Sequence, residues 1–332
     1  MASSLVKTGH DIVLFDVDRS KATSLAAATG AAAASSLQEL AETSSSVITM
    51  LPNTRSVEAV YLGNPARSGP GNVTEKFPFS TMGVVTEGGG LDEHGAREEG
   101  GGLLDWVKPG TLVVDSSTID PLASKKVNAI ATRKGVTMVD APVSGGVPAA
   151  ANATLTFIVG GTEEGVEHAR PLLMSMGTKV VHCGESGAGC VAKVCNNLCL
   201  AITMVGVSEA MSLGANLGMD PKVLASVLNA STACCWTTEA YNPYPGVMEG
   251  VPSSRGFEGG FAASLMEKDL HLALQAARES SQSLPMGALA HQLYCLMCGH
   301  GNAKKDFSGI YELISAGSGR IGSEGGRGAH GT

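Results

Sequence analysis

The sequence predicts an α/β fold in which a doubly wound parallel sheet is followed by an all-α domain. In the first half, short runs that are apolar throughout alternate with alanine-rich helical segments, which is typical of a parallel sheet covered on both faces. In the second half, helical periodicity replaces the strand-like runs. The length of 332 residues fits two domains.

The six predicted strands are short apolar runs bounded by polar or turn residues. They occupy residues 12–15, 47–51, 111–115, 136–140, 155–159 and 179–182. Alanine-rich segments such as 21–34 and 123–133 are the predicted helices between them. Six strands are too few for an eight-stranded barrel, so the pattern favours an open sheet.

The second half begins with a predicted helix over residues 190–217, which Gly218 would end. Asp220 and Pro221 are a typical cap and first residue of a further helix. Residues 261–281 and 286–300 are also helical by periodicity. We therefore place a nucleotide-binding domain at 1–186 and an all-α domain at 187–314.

Glycine is concentrated in two segments. The chain has 43 glycines, of which eleven lie between Gly63 and Gly102 and seven between Gly317 and Gly331. Neither segment has a hydrophobic period, which is typical of low-complexity sequence. We interpret residues 65–101 as an insertion and residues 315–332 as a disordered tail.

The composition argues against two classes of protein, those that bind nucleic acids and those that span a membrane. The net charge of −8 argues against a nucleic-acid-binding surface. No uninterrupted run of 18 apolar residues occurs, so we expect no membrane-spanning segment.

The eight cysteines do not form the pattern of a secreted disulfide framework in a chain of this length. Cys295-Leu-Met-Cys298 has metal-like spacing, but no second such pair exists. We therefore predict apolar core thiols and no metal site.

A dinucleotide-binding domain normally carries Gly-x-Gly-x-x-Gly directly after its first strand. Two matches, at 317–322 and 326–331, have no strand before them and are attributed to composition. A third, Gly187-Ala-Gly189-Cys-Val-Ala192, opens the long helix, and we interpret it as letting that helix begin close to the active-site cleft.

Asp16 lies at the end of the first predicted strand. In a Rossmann-like unit, an acidic residue in this place belongs to the second strand, so the first predicted strand corresponds to that second strand. The pattern thus lacks a first strand and its glycine loop. We expect this loss to impair binding of a dinucleotide, because the loop and helix N-terminus hold the pyrophosphate.

Three motifs identify a family. The runs Asp115-Ser-Ser-Thr-Ile-Asp-Pro121, Asp140-Ala-Pro-Val-Ser-Gly-Gly-Val147 and Lys193-Val-Cys-Asn-Asn197 resemble those of the β-hydroxyacid dehydrogenases. Tyr241-Asn-Pro-Tyr-Pro-Gly246, Lys268-Asp-Leu270 and Lys304-Lys-Asp-Phe-Ser308 continue the similarity. It covers residues 1–63 and 103–313.

The resemblance implies hydride transfer from a small 3-hydroxy acid to NAD. The Tyr241 to Gly246 stretch favours 3-hydroxyisobutyrate, which would be oxidised to methylmalonate semialdehyde in valine catabolism. For a eukaryote the resemblance implies a mitochondrial location. The long helix and the apolar helical half suggest a homodimer or homotetramer.

Lys193 is the candidate acid/base residue, since removal of hydride requires loss of the hydroxyl proton. Its neighbours in the sequence are apolar, and Asn197 lies four residues later on the same helical face, where it would orient the substrate. Ser144, Gly145 and Gly146 would bind the substrate carboxylate through backbone N–H groups, although the same residues also fit a plain turn.

Thr118 follows a strand, at the edge where ligands of such sheets bind, so we place it near both substrate and nicotinamide. Asp16 would accept the ribose hydroxyls and repel a 2′-phosphate, which favours NAD over NADP. By resemblance, Leu51, Pro52 and Ser56 line the cofactor, and Lys268 reaches it from the helical domain.

Two alternatives stay open. Instead of an NAD-dependent dehydrogenase, the chain could be a non-catalytic relative that acts as a partner subunit, or a semialdehyde reductase that uses NADPH. The presence of Lys193 and Asn197 tells against the first, and Asp16 tells against the second.

Overall fold

The computed structural model describes residues 1–63 and 101–316. The predicted insertion, apart from Gly101, and the tail from residue 317 onward lie outside the described residues. The last described helix ends at Ala316. Ser315 and Ala316, which the sequence assigned to the tail, therefore belong to a helix.

The chain divides into two compact units, Met1–Val194 and Cys195–Thr332. The strands all belong to the first unit: β1 (Val13–Leu14), β2 (Ala32–Ala33), β3 (Ser46–Thr49), β4 (Leu112–Asp115), β5 (Thr137–Asp140), β6 (Val143–Ser144), β7 (Leu155–Val159) and β8 (Gly177–His182). Among the described residues of this unit, the helices are α1 (Ala2–Lys7), α2 (Arg19–Thr29), α3 (Leu37–Thr43), α4 (Thr54–Leu62), α5 (Leu103–Trp106), α6 (Pro121–Arg133), α7 (Gly146–Ala151) and α8 (Glu163–Met174).

A long helix, α9 (Ala188–Asn216), begins in the first unit and continues into the second. The second unit contains further helices: α10 (Pro221–Ala230), α11 (Trp236–Ala240), α12 (Ala263–Glu279), α13 (Pro285–Met297) and α14 (Ile310–Ala316). A π-helical turn follows α13 at Cys298–Asn302. The predicted helical segments of this half are confirmed to within a few residues at each end.

Every predicted strand overlaps an observed one, but two of the described strands, β2 and β6, were not predicted. β2 falls inside the predicted helix 21–34, because Gly30 adopts a left-handed conformation (φ +77°) and ends α2. β6 is also only two residues long and pairs antiparallel with β7. Neither β2 nor β6 lies in a run of large apolar residues such as 12–15, which contains the equally short β1, so the sequence carried no strand signal for them.

The described strands form three small sheets, with orders β1-β2, β3-β4-β5 and β6-β7-β8. The first two are parallel throughout. No backbone pairing joins β1 to β3 within residues 1–63 and 101–316, so the sheet is interrupted between them. This interruption lies where a doubly wound sheet has its first strand.

One continuous hydrophobic core nevertheless joins the strands of the first unit. Leu14 of β1, Val47 of β3, Val113 of β4 and Phe157 of β7 are all buried in it. The second unit has its own core, in which α9 packs with α12 and α13 through residues that include Met204, Met266, Leu270, Ala290 and Tyr294.

The start of α9 is fixed by a side chain from the sheet. Asp140, at the end of β5, accepts hydrogen bonds from the Gly187 N–H at 2.6 Å and the Cys190 N–H at 2.9 Å. These are N–H groups at the helix start that the helix itself cannot satisfy, and a carboxylate also interacts favourably with the helix dipole. Burial raises the pKa of Asp140, while the two N–H bonds oppose the shift.

The glycines at this helix start allow a close approach. A β-carbon on Gly189 would lie 2.4 Å from the Ile158 carbonyl oxygen and 2.8 Å from Asp140 Oδ2. Gly189 therefore lets the start of α9 pack closely against β5 and β7.

α9 is also long and apolar enough to cross a membrane by length and composition, and it is the one such helix in the described ranges. The sequence expectation rested on uninterrupted apolar runs, whereas this helix reaches a mean hydropathy of 1.7 with polar residues included. Within the described structure, its apolar residues Ala201, Met204 and Met211 are core residues of the second unit.

The cysteines are all free, and Cys190 alone among them is buried. Cys195, Cys199 and Cys234 are exposed, so the prediction that the thiols pack in the core is wrong for these three. Apolar neighbours in the sequence did not distinguish the buried from the exposed face of α9.

We expect Gly189→Ala to lower the free energy of unfolding by about 1–3 kcal/mol, because the added methyl group meets backbone that cannot move aside easily. Gly206→Ala is the matched control in the same helix. A β-carbon there has nothing within 4 Å, so the substitution should stabilise by roughly 0.5–1 kcal/mol. Urea unfolding of the three proteins measures both effects, and equal stabilities for the two variants would contradict the packing argument.

Candidate active site

Several predicted site residues lie just beyond the ends of neighbouring parallel strands. Leu51 follows β3 and Thr118 follows β4. The strand ends are level, since Thr49 is the register partner of Asp115 and Asp115 that of Asp140. The structure thus places these residues at one edge of the sheet, where ligands of doubly wound folds bind.

A buried carboxylate organises this edge. Asp115 Oδ1 accepts hydrogen bonds from Thr49 Oγ1 at 2.9 Å, from the Ser117 N–H at 3.1 Å and from Ser117 Oγ at 2.5 Å. Asp115 is 1% exposed. Burial raises its pKa to about 6, against the opposing effect of these bonds.

The same network ties two loops together. The Ser117 hydroxyl accepts a hydrogen bond from the Leu51 N–H at 2.8 Å. The loop after β3, which holds Leu51 and Pro52, is therefore held to the loop after β4, which holds Thr118. Sequence reasoning missed Asp115 and Ser117 as positioning residues, although an acid at a strand end followed by two serines was visible.

Ser56 lies in the first turn of α4 and is half-buried. Its N–H and its hydroxyl both donate to Asn53 Oδ1, at 2.9 Å and 3.1 Å. Asn53 thereby caps the helix next to Pro52. The predicted cofactor-lining stretch is a capped helix N-terminus, where backbone N–H groups favour anions.

Asp16 is buried after β1, and its Oδ1 accepts a hydrogen bond from the Asp18 N–H at 2.7 Å. Burial raises the pKa of Asp16. Asp18 caps α2 by accepting from the Ser20 N–H at 3.1 Å. Arg19, which would favour a 2′-phosphate, donates to the Ser35 carbonyl at 3.4 Å.

The Ser144 turn requires its glycines. Gly145 and Gly146 have φ values of +126° and +66°. A β-carbon on Gly145 would lie 2.5 Å from Cβ of Ala149. Because Ser144 is half-buried and both glycines are exposed, the turn presents backbone to solvent in a conformation that other residues rarely adopt.

Lys193 is half-buried on α9, one turn after the Cys190 N–H that Asp140 fixes. The helix start anchored on the sheet therefore sets the position of Lys193. Asn197 follows four residues later in the same helix.

In the second unit, one aspartate holds two predicted site residues. Asp269 Oδ2 accepts a hydrogen bond from Asn197 Nδ2 at 2.5 Å, and Asp269 Oδ1 lies 3.1 Å from Lys268 Nζ. Asn197 and Asp269 are each 2% exposed. Sequence reasoning missed this role for Asp269, whose partner Asn197 is 72 positions away.

The stretch from Tyr241 is anchored by a second aspartate of this unit. Tyr241 Oη and the Phe261 N–H donate to Asp306 Oδ2 at 2.9 Å and 2.7 Å. The Tyr241 ring stacks on Trp236, with centroids 4.8 Å apart. The Lys304 to Ser308 motif therefore includes the residue that fixes Tyr241.

Comparison with known proteins gives the family. Residues 187–314 match the family described as the NAD-binding domain of NADP-dependent 3-hydroxyisobutyrate dehydrogenase. Residues 1–73 and 81–184 match the NAD-binding domain of 6-phosphogluconate dehydrogenase. The chain is 42% identical to a probable mitochondrial 3-hydroxyisobutyrate dehydrogenase of Dictyostelium discoideum, over 95% of this chain and 86% of that protein.

The chain belongs to the 3-hydroxyisobutyrate dehydrogenase-like β-hydroxyacid dehydrogenases. It is an NAD-dependent hydroxyacid dehydrogenase, and the resemblance drawn from its motifs is confirmed. A Rossmann-like domain followed by a helical domain, as predicted, is the architecture of this family member.

Two further relatives bear on the substrate of this β-hydroxyacid dehydrogenase. An NAD-dependent L-serine dehydrogenase of Pseudomonas aeruginosa is 43% identical over 95% of this chain and 93% of that protein. The solved structure of 3-hydroxyisobutyrate dehydrogenase from Mycobacterium tuberculosis with L-serine has a TM-score of 0.79 and 34% identity, and the match covers 94% of each chain.

The Asp115 network predicts a specific pH dependence of stability. Burial raises the pKa of Asp115 from its ordinary value of 3.8 to about 6 in the folded protein, so the folded state holds the proton more tightly. Its contribution to stability therefore falls as pH rises from about 4 to about 6, by at most about 3 kcal/mol.

Asp115→Asn should remove this dependence, and the difference in unfolding free energy between variant and parent should change across that window. Urea unfolding at several pH values measures it. Glu164→Gln, an exposed change on α8, should leave the profile unaltered. A difference between Asp115→Asn and parent that is constant with pH would contradict the burial argument.

Proposed function

We propose that this dehydrogenase oxidises 3-hydroxyisobutyrate to methylmalonate semialdehyde, a step of valine catabolism. The observation that carries the proposal is the pair Lys193 and Asn197, one helical turn apart on α9, with Asn197 held by buried Asp269. Relatives named 3-hydroxyisobutyrate dehydrogenase, including those of Dictyostelium discoideum and Mus musculus at 42% identity, support the substrate.

Lys193 performs the proton transfer. Bound NAD supplies the acceptor of the hydride that leaves C3. As the carbonyl forms, the neutral Lys193 amine takes the hydroxyl proton, and in the reverse direction the Lys193 ammonium returns it. Lys193 is half-buried and lies near the start of a helix that Asp140 anchors. The burial and the anchored backbone both restrict where the amine can lie during this exchange.

Asn197 orients the substrate. Its Nδ2 carries two N–H bonds, and Asp269 receives one of them. The second can donate to a substrate oxygen. Because Asp269 also pairs with Lys268, one buried carboxylate positions the amide and the lysine proposed to reach the cofactor.

The remaining groups bind the two ligands. The Ser144, Gly145 and Gly146 turn holds the substrate carboxylate through its exposed backbone and hydroxyl. Thr118, Leu51, Pro52 and Ser56 line the cofactor at the sheet edge, and Asp16 binds the adenosine ribose.

L-serine is the second candidate substrate. It has the same carboxylate and 3-hydroxyl group, with an ammonium at C2 in place of a methyl. A relative of 43% identity named NAD-dependent L-serine dehydrogenase favours it.

We expect kcat/KM for 3-hydroxyisobutyrate to exceed that for L-serine by at least about tenfold, because the C2 ammonium of L-serine loses hydration on binding and the C2 methyl group does not. Steady-state formation of NADH with each substrate measures the ratio. A ratio below one would replace the first candidate with the second.

Lys193→Ala should lower kcat by about 10²–10⁴, the usual contribution of a positioned acid/base group, with a smaller effect on the KM for NAD. Small primary amines should partly restore the rate, since they supply the missing proton acceptor. Lys179→Ala, an exposed change on β8, is the control and should keep the parent rate. A Lys193→Ala variant with parental kcat would remove the lysine from the mechanism.

We include a mitochondrial location in the proposal, because the eukaryotic relatives named above are mitochondrial. Subcellular fractionation of the source cells measures it.

A further inference from the structure

Three side chains of different chemistry, none of them used in the proposed reaction, meet between α12 and α13. Glu267 lies on α12, and His291 and Cys295 lie one turn apart on α13. His291 Nε2 is 2.9 Å from Glu267 Oε1, and Cys295 Sγ is 3.6 Å from His291 Nε2 and 3.8 Å from Glu267 Oε1. All three residues are partly exposed.

These separations approach the edges of a tetrahedral zinc site. With a zinc–sulfur distance of about 2.3 Å and zinc–nitrogen and zinc–oxygen distances of about 2.0–2.2 Å, sulfur lies about 3.6 Å from each neighbouring ligand. The observed sulfur distances agree with this value. The Glu267–His291 hydrogen bond must open by only a few tenths of an ångström for both atoms to face one ion.

We propose that Glu267, His291 and Cys295 bind a zinc-class divalent cation, with water as the fourth ligand. Thiolate, imidazole and carboxylate are all zinc ligands, and three protein ligands plus water is a known zinc arrangement. The thiolate and the carboxylate together neutralise the charge of the ion.

The sequence predicted no metal site, because Cys295 and Cys298 form its only Cys-x-x-Cys pair. In the structure, Cys298 is not part of the three-atom cluster, and the additional ligands come from Glu267, on another helix, and from His291 at the preceding turn. The separation of 28 positions between Glu267 and Cys295 gave no signal in the sequence.

The site adjoins residues of the cofactor side. Glu267 immediately precedes Lys268 and Asp269 in α12. A bound ion would therefore fix the turn of α12 that holds Asn197 and would link it to α13. Binding to the folded state alone also stabilises the protein.

Titration of the full-length, untagged chain with Co²⁺ under reducing conditions tests the proposal without turnover of any substrate. We expect one Co²⁺ per chain and a thiolate-to-cobalt charge-transfer band in the near ultraviolet, which Zn²⁺ abolishes by displacement. Cys295→Ser should remove the band, and His291→Ala should weaken binding at least tenfold. Zn²⁺ should raise the Tm of the parent but not of these variants.

Cys234→Ser is the matched control, since Cys234 is an exposed thiol outside the cluster, and it should keep both band and stoichiometry. Glu267→Gln, which preserves shape, provides a second test if Cys295→Ser does not fold, and it should also weaken binding. Absence of stoichiometric Co²⁺ binding, or a charge-transfer band that survives in Cys295→Ser, would overturn the proposal.

Discussion

The structure of the site depends on the carboxylate of Asp140 at the start of α9. This carboxylate accepts hydrogen bonds from the N–H groups of Gly187 and Cys190, and the two bonds fix both the position and the rotation of the helix. Three residues beyond Cys190 comes Lys193, and one turn later comes Asn197. A small shift of this helix start would move the proposed proton acceptor and the orienting amide together, and a displacement of 1 Å is enough to impair a reaction that requires close approach.

Other buried aspartates also hold site residues in position by accepting hydrogen bonds or pairing with a lysine. Asp115 holds the loops after β3 and β4, Asp269 holds Asn197 and Lys268, and Asp306 holds Tyr241 and the Phe261 backbone. Each lies within a motif by which the chain resembles its family. Several residues of the family motifs therefore position other site residues and are not themselves candidates to touch a ligand. Burial of these acids is sustained by hydrogen bonds, without which an ionised carboxylate would be costly to bury.

The sequence predicted the architecture because long apolar runs and helical periods are local signals. It located the described strands apart from β2 and β6, which lie outside runs of large apolar residues, and it located the helices α9 to α13 apart from the short α11. It also named Lys193 and Asn197, but not the aspartates that hold the site. Thr49 and Asp115 are 66 positions apart, and Asn197 and Asp269 are 72 apart. Contacts of this kind are produced by folding and leave no periodicity in the chain.

The continuity of α9 has a consequence for the reacting geometry. Lys193 and Asn197 lie on opposite sides of the division between the two compact units, yet a single helix carries both. Their separation along the axis is about 6 Å, from a rise of about 1.5 Å per residue. The backbone hydrogen bonds of the helix therefore keep the distance between these two residues constant. Substitutions in either core can change the surroundings of the helix without changing this distance.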